Sequence, residues 1–128
     1  MVAQEIDHIT IKGFKSIASV EKLSLRPINL IIGANGSGKS NFLGVFSFLH
    51  AIREARLNEG RLLNQDRLTE YVRKAGGAEQ LLHFGSKMTT EIRIHISSVN
   101  EFYQCEIALK PTTDDDLFLS TERAWEKA

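Results

Sequence analysis

Along this chain the apolar residues change period twice. In IDHITIKGF, residues 6–14, Ile9 and Ile11 point one way while His8, Thr10 and Lys12 point the other. That alternation predicts a half-buried strand, with Gly13 ending or bending it. The looser alternation of Val20, Leu23 and Leu25 predicts the return strand of a hairpin. INLII, residues 28–32, is apolar almost throughout and runs into Gly33, a pattern expected of a strand buried on both faces. From Lys39 to about Leu57 the period becomes helical. Phe42, Val45, Phe46 and Leu49 follow the i, i+3, i+4, i+7 rule, and Leu43, Phe48 and Ile52 widen the face, so a helix covered on more than one side is expected. Leu68 and Val72 followed by RKAGG predict a short helix ending at Gly76, and AEQLLHFGSK a further helical turn and a loop.

The period then falls to two. Ile92, Ile94 and Ile96 form one inward row, with Arg93 and His95 outward. Tyr103, Cys105, Ile107 and Leu109 form a second inward row, after a turn at VNE. LFLSTERAW predicts a third strand beyond KPTTDDD. Three strands with short connections read as an antiparallel meander.

Between the apolar run and the long helix lies the stretch that carries chemistry. Gly33, Ala34, Asn35, Gly36, Ser37, Gly38, Lys39 and Ser40 fit the phosphate-loop pattern G-x-x-x-x-G-K-[ST]. At average glycine usage, a random chain of this size matches it roughly once in 200 tries. The glycines let the backbone wrap closely and aim N–H groups inward. The helix that starts here adds its positive dipole end. Lys39 supplies an ammonium for the β- and γ-phosphates, and Ser40 a hydroxyl for a Mg²⁺ carried by the nucleotide. The ligand expected is ATP with Mg²⁺, and the structural alternative is a glycine-rich strand–helix turn without a ligand.

With IKGFKS ahead of it, INLIIGANGSGKSNFL resembles the opening of ATPases of the SMC/RecF kind, within the wider ABC-type class. VRKAGGAEQLLHFGSK followed by three strands is similar to bacterial AAA-family ATPases with RecF-like heads. The resemblance implies an α/β phosphate-loop NTPase fold of the ABC/SMC-head type. In such a head, a phosphate-loop strand and helix accompany a small antiparallel sheet packed beside a mostly parallel one. It also implies that Asn35 through Asn41 line the triphosphate, and that Lys15 and Ser16 approach the nucleotide. The competing reading of Lys15 is a solvated hairpin lysine. ATP hydrolysis by a full-length parent, a nucleotide-closed homodimer and a role in DNA maintenance or phage defence are expectations from the resemblance alone.

Other parts of such an enzyme are missing from these 128 residues. No four apolar residues lead into an Asp-Glu pair of the kind that holds Mg²⁺ and polarises water. Asp114–Asp115–Asp116 follows KPTT and reads as a solvated loop. The paired glycines at 76 and 77 lack the Leu-Ser of a signature segment and read as a helix end. Gln80 and Gln104 are weak candidates for metal and water contact. The chain is therefore expected to be one N-terminal portion of an ATPase head, holding the cradle without the hydrolytic machinery. A small-molecule or nucleoside kinase also fits the loop, but would carry an Arg-rich lid after parallel strands. A nucleotide-binding or interaction module that does not hydrolyse is the third reading.

Composition narrows the rest. Sixteen basic and sixteen acidic side chains balance, so bulk charge gives no support for nucleic-acid binding. The aromatics do not alternate with basic residues. The single cysteine, Cys105, excludes a disulfide framework and sits on an apolar row. His8, His50, His83 and His95 share no metal-ligand spacing, and Trp125 has no assigned role. No secretion signal is evident, and the mostly apolar stretch 42–52 is about half of the roughly 20 residues a membrane span needs. A cytoplasmic location with no membrane partner is expected.

Overall fold

A computed structural model describes residues 6–26, 29–33, 38–56 and 65–126. Five strands form one sheet: β1 (Ile6–Phe14), β2 (Ile17–Ser24), β3 (Ile92–Ser98), β4 (Tyr103–Pro111) and β5 (Leu117–Glu126). Their order is β2-β1-β3-β4-β5, and every neighbouring pair is antiparallel. Between β2 and β3 in sequence come helices α1 (Lys39–Arg56), α2 (Gln65–Lys74) and the single turn α3 (Ala78–Leu81). The hairpin and the meander appear where the alternation places them, and β1–β3 pairing fuses them into one sheet. Register carries the alternation across: Ile9 lies opposite Ile96, Ile11 opposite Ile94, and Ile94 opposite Ile107. Because side chains on a strand have period two, these matches put Ile9, Ile11, Ile94, Ile96 and Ile107 on one face.

That face packs on α1. Val45, Phe48 and Ile52 join Ile9, Ile11, Ile94, Ile107 and Leu109 in one buried cluster. Phe48 stacks on Phe14 of β1 with ring centroids 5.3 Å apart, and meets Tyr71 of α2 at 5.5 Å. Leu68 and Val72 of α2, and Ala78, Leu81 and Leu82 around α3, complete the core. The opposite face is polar. Arg93 bonds Glu106 and Glu91, Arg123 bonds Glu106, and His95 bonds Gln104 at 2.9 Å. Trp125 lies on this face, with its ring 5.7 Å from His95 and Arg123 above it. An antiparallel sheet with one packed and one solvated face accounts for the whole pattern.

Two expectations change. INLII is not a buried strand over its described part: residues 29–33 are unpaired, with Leu30 84% and Ile32 82% exposed. A strand buried on both faces needs paired neighbours and cover on each side. All five described strands are committed to the antiparallel sheet, so no parallel sheet is present among the described residues. The second change concerns α1, whose covered face is centred on Val45, Phe48 and Ile52. Phe46 and Leu43 are exposed, because one sheet can cover only one side of a helix. The acidic run is the solvated loop expected, with Asp114 and Asp115 exposed in the β4–β5 turn. It also makes contacts: Asp115 Oδ1 accepts the Glu79 N–H at 2.9 Å, and Asp116 Oδ2 accepts the Thr69 hydroxyl at 2.6 Å, tying α2 and α3 to that turn.

Candidate functional site

The site is built where the end of β1 meets the start of α1. Gly38 sits at φ +98°, a conformation that favours glycine, and its carbonyl accepts the Phe42 N–H at 2.9 Å. This is the first i→i+4 bond of α1. The N–H groups of Lys39, Ser40 and Asn41 consequently have no acceptor within the helix and project from its positive end. Asn35, Gly36 and Ser37, three of the expected triphosphate ligands, lie outside the described residues, as does Ala34. Gly33 is described and half-buried, Lys39 is half-buried, and Ser40 is exposed on the first turn.

Lys15 and Ser16 come from the β1–β2 turn and reach this helix end. Asn41 Nδ2 donates to Ser16 Oγ at 2.7 Å. Ser16 Oγ lies 3.5 Å from where a side chain on Gly38 would begin. The Lys15 ammonium lies 5.5 Å from the centre of the Phe14 ring and close to Gly44, within the next turn of the helix. The structure thus brings together Lys15, Ser16, Gly38, Lys39, Ser40 and Asn41, two of whose side chains are cationic.

The turn is fixed from behind. Lys15 N–H donates to Leu81 O at 2.7 Å, and Lys15 O receives a bond from His83 Nδ1 at 2.7 Å. His83 N–H donates to Gly13 O at 3.0 Å, and Phe14 forms a β-bridge with Leu82. These contacts lay the segment after α3 alongside the end of β1 and the β1–β2 turn. An open cleft of about 620 Å³ results, lined by Lys15, Ser16, Asn41, Glu79, Gln80 and Phe84. The last three were not singled out as ligands by the sequence reading, or only weakly in the case of Gln80. An aromatic beside a glycine in the polar loop HFGSK is the one signal that pointed there. Glu79 accepts hydrogen bonds from the Ser86 hydroxyl and backbone N–H, and these hold its carboxyl below the usual range.

The model of the AAA ATPase domain matches residues 5–115, nearly the whole chain. The chain belongs to the AAA ATPase domain family. This AAA ATPase domain is also similar to proteins named DNA replication and repair protein RecF. It is 30% identical to the one from Lacticaseibacillus casei over 82 residues, 60% of this chain and 22% of that protein. It is 29% identical to the one from Lactobacillus acidophilus over 93 residues, 72% of this chain and 23% of that protein. The matched region is thus less than a quarter of the length of these relatives. No solved structure matches it.

Outside the cleft the other sequence candidates have structural work. Gln104 pairs with His95 on the polar face of the sheet. Gly76 and Gly77, at φ +99° and +101°, terminate α2, with Gly77 N–H bonded to Val72 O. Cys105 is a half-buried member of the apolar row. No group of three or more His, Cys, Asp or Glu could hold a metal among the described residues, and no described helix is long and apolar enough to cross a membrane.

Proposed function

We propose that this AAA ATPase domain binds MgATP at the N-terminus of α1. The observation that carries the reading is the start of that helix. A positive-φ glycine opens it, and Lys39, Ser40 and Asn41 follow in the order of the phosphate-loop motif. In this reading Asn35 through Asn41 line the triphosphate, with Gly33 at the loop's start. Lys39 neutralises the β- and γ-phosphates, and the exposed Ser40 hydroxyl is a hard oxygen donor suited to Mg²⁺. Lys15 adds a second ammonium, and Ser16, oriented by Asn41, a hydroxyl. Magnesium, when bound with the nucleotide, draws charge from the phosphate oxygens; the chain's own part is to orient and neutralise the triphosphate.

In a longer parent the same site serves ATP hydrolysis, nucleotide-dependent pairing of two heads and, by analogy with the relatives' names, DNA replication or repair. Phage defence is the other role that the resemblance suggests. The kinase reading is weaker, because an antiparallel meander, not a set of parallel strands with an Arg-rich lid, follows the helices. The test is titration of MgATP and MgADP into the wild-type chain and Lys39→Ala. A charge-assisted phosphate contact contributes about 1.5–3 kcal/mol, so the variant is expected to bind roughly 10- to 100-fold more weakly. Equal affinities, or no binding by the wild type, would remove the cradle as a working site.

A further inference from the structure

We infer that His83 is a positioning residue for the phosphate site: its imidazole holds the β1–β2 turn in the shape that keeps the Lys15 ammonium beside the first two turns of α1. The inference rests on the phosphate reading above and names what fixes that site's second cation.

The backbone of Lys15 carries it. β1 and β2 close through a two-residue turn, with Phe14 paired to Ile17, and Lys15 takes the first position of that turn at φ +50°. Lysine is uncommon at such an angle and stays there only where its surroundings enforce it. Glycine would be at ease here, and what lysine adds is the ammonium. Two hydrogen bonds supply the enforcement, one on each side of the strained residue. Lys15 N–H donates to Leu81 O at 2.7 Å, and Lys15 O accepts from His83 Nδ1 at 2.7 Å. A carbonyl has no proton to give, so Nδ1 carries the hydrogen and the ring is fixed in that tautomer.

The ring is itself anchored. His83 N–H donates to Gly13 O at 3.0 Å, and His83 O accepts the Thr89 hydroxyl. The preceding α3 is tied to the β4–β5 turn, with Ala78 N–H bonded to Asp115 O and Glu79 N–H to Asp115 Oδ1, each at 2.9 Å. From the other side, Asn41 Nδ2 donates to Ser16 Oγ at 2.7 Å, so the turn is pinned between α1 and His83. Held this way, the Lys15 ammonium lies 3.6 Å from where a Cβ on Gly44 would stand.

The experiment measures binding of MgATP and of magnesium tripolyphosphate, which has the phosphates and no base, by calorimetry. Circular dichroism confirms each fold. Leu and Asn have nearly the same shape, but only Asn can place an N–H donor where His83 Nδ1 stands. His83→Leu is expected to bind both ligands about three- to tenfold more weakly, the effect of losing one neutral hydrogen bond, and His83→Asn to stay within about twofold of wild type. Lys15→Gly relaxes the turn and removes the ammonium, so adding His83→Leu to it should weaken binding no further. Long-range proton–nitrogen NMR of the wild type should show the neutral His83 ring protonated at Nδ1. Wild-type affinity in His83→Leu, equal losses in His83→Leu and His83→Asn, additive losses with Lys15→Gly, or a neutral ring protonated at Nε2 overturns the role of His83 while the phosphate cradle stands. If His83→Leu does not fold, His83→Asn and the tautomer decide. If the wild type binds neither ligand, the cradle fails and the role of His83 falls with it.

Discussion

Two glycines near the site show how one substitution has opposite outcomes in different surroundings. Gly13 lies at φ +77°, and a Cβ there would stand 2.5 Å from the Glu91 carbonyl oxygen and 2.8 Å from Thr89 Cγ2. The first of these neighbours is backbone and cannot step aside. Gly13→Ala is expected to destabilise the fold by about 2–4 kcal/mol, from left-handed strain plus the collision. Gly44 is within α1, and a Cβ there would meet only the Lys15 ammonium at 3.6 Å and the Phe14 ring edge at 3.9 Å, ordinary contact distances. Gly44→Ala is expected to stabilise by about 0.5–1 kcal/mol, because it removes the entropic cost of a helical glycine. Urea unfolding of both variants checks the pair, and a stable Gly13→Ala protein would mean that Gly13 does not lie at positive φ against the Glu91 carbonyl. The sequence marked Gly13 as ending or bending the strand; β1 runs on through it to Phe14, and the Glu91 carbonyl facing it was not foreseen. That neighbour is 78 residues away and comes into contact only through β1–β3 pairing.

At the scale of the element, α1 carries two interleaved apolar faces. Phe42, Val45, Phe46 and Leu49 satisfy the helical spacing, and so do Val45, Phe48, Leu49 and Ile52. Periodicity places the helix but cannot rank the faces, since both have the same spacing. The sheet decides between them: it covers Phe48, which is fully buried, and leaves Phe46 36% exposed, edge-on to Phe42. Truncation separates the two. Phe48→Ala is expected to cost about 3–5 kcal/mol, since it opens a cavity between Phe14 and Tyr71, whereas Phe46→Ala should cost about 1 kcal/mol or less. Chemical denaturation with a constant m-value is the measurement, and equal losses would mean that α1 is rotated about its axis. The same reasoning explains INLII. A mostly apolar run signals burial on two sides, yet burial depends on elements that the run itself does not contain. The alternating strands were legible because each displays its own inside and outside. The phosphate-loop motif can be read because it lies within eight consecutive residues, four of which are outside the described residues, whereas the cleft beside α1 is assembled from turns 68 residues apart, at Lys15 and His83.

Across the whole molecule, the sheet acts as a platform that fixes one end of α1, the end at which the proposed MgATP site lies. What the platform supplies is positive: Lys15, Lys39 and the helix dipole. Hydrolysis additionally needs a carboxylate or amide to polarise the attacking water. The nearest described carboxylate in the cleft is Glu79, and both of its oxygens accept bonds from Ser86. Those bonds keep it ionised but also occupy it. Asp115 and Asp116 are bonded to α3 and to Thr69, where their role is to hold helices to the β4–β5 turn. The sequence holds no four apolar residues leading into an Asp-Glu pair of the kind that polarises water. The isolated chain is therefore expected to bind MgATP with phosphate release at the level of a no-protein control, measured over a range of chain concentrations. Release that rises with protein and disappears in Lys39→Ala would show that a group within this chain activates water. Glu79→Gln would then identify it: loss of turnover with MgATP affinity intact assigns Glu79, because the amide keeps the side chain's size and its carbonyl acceptor for Ser86 while removing the negative charge.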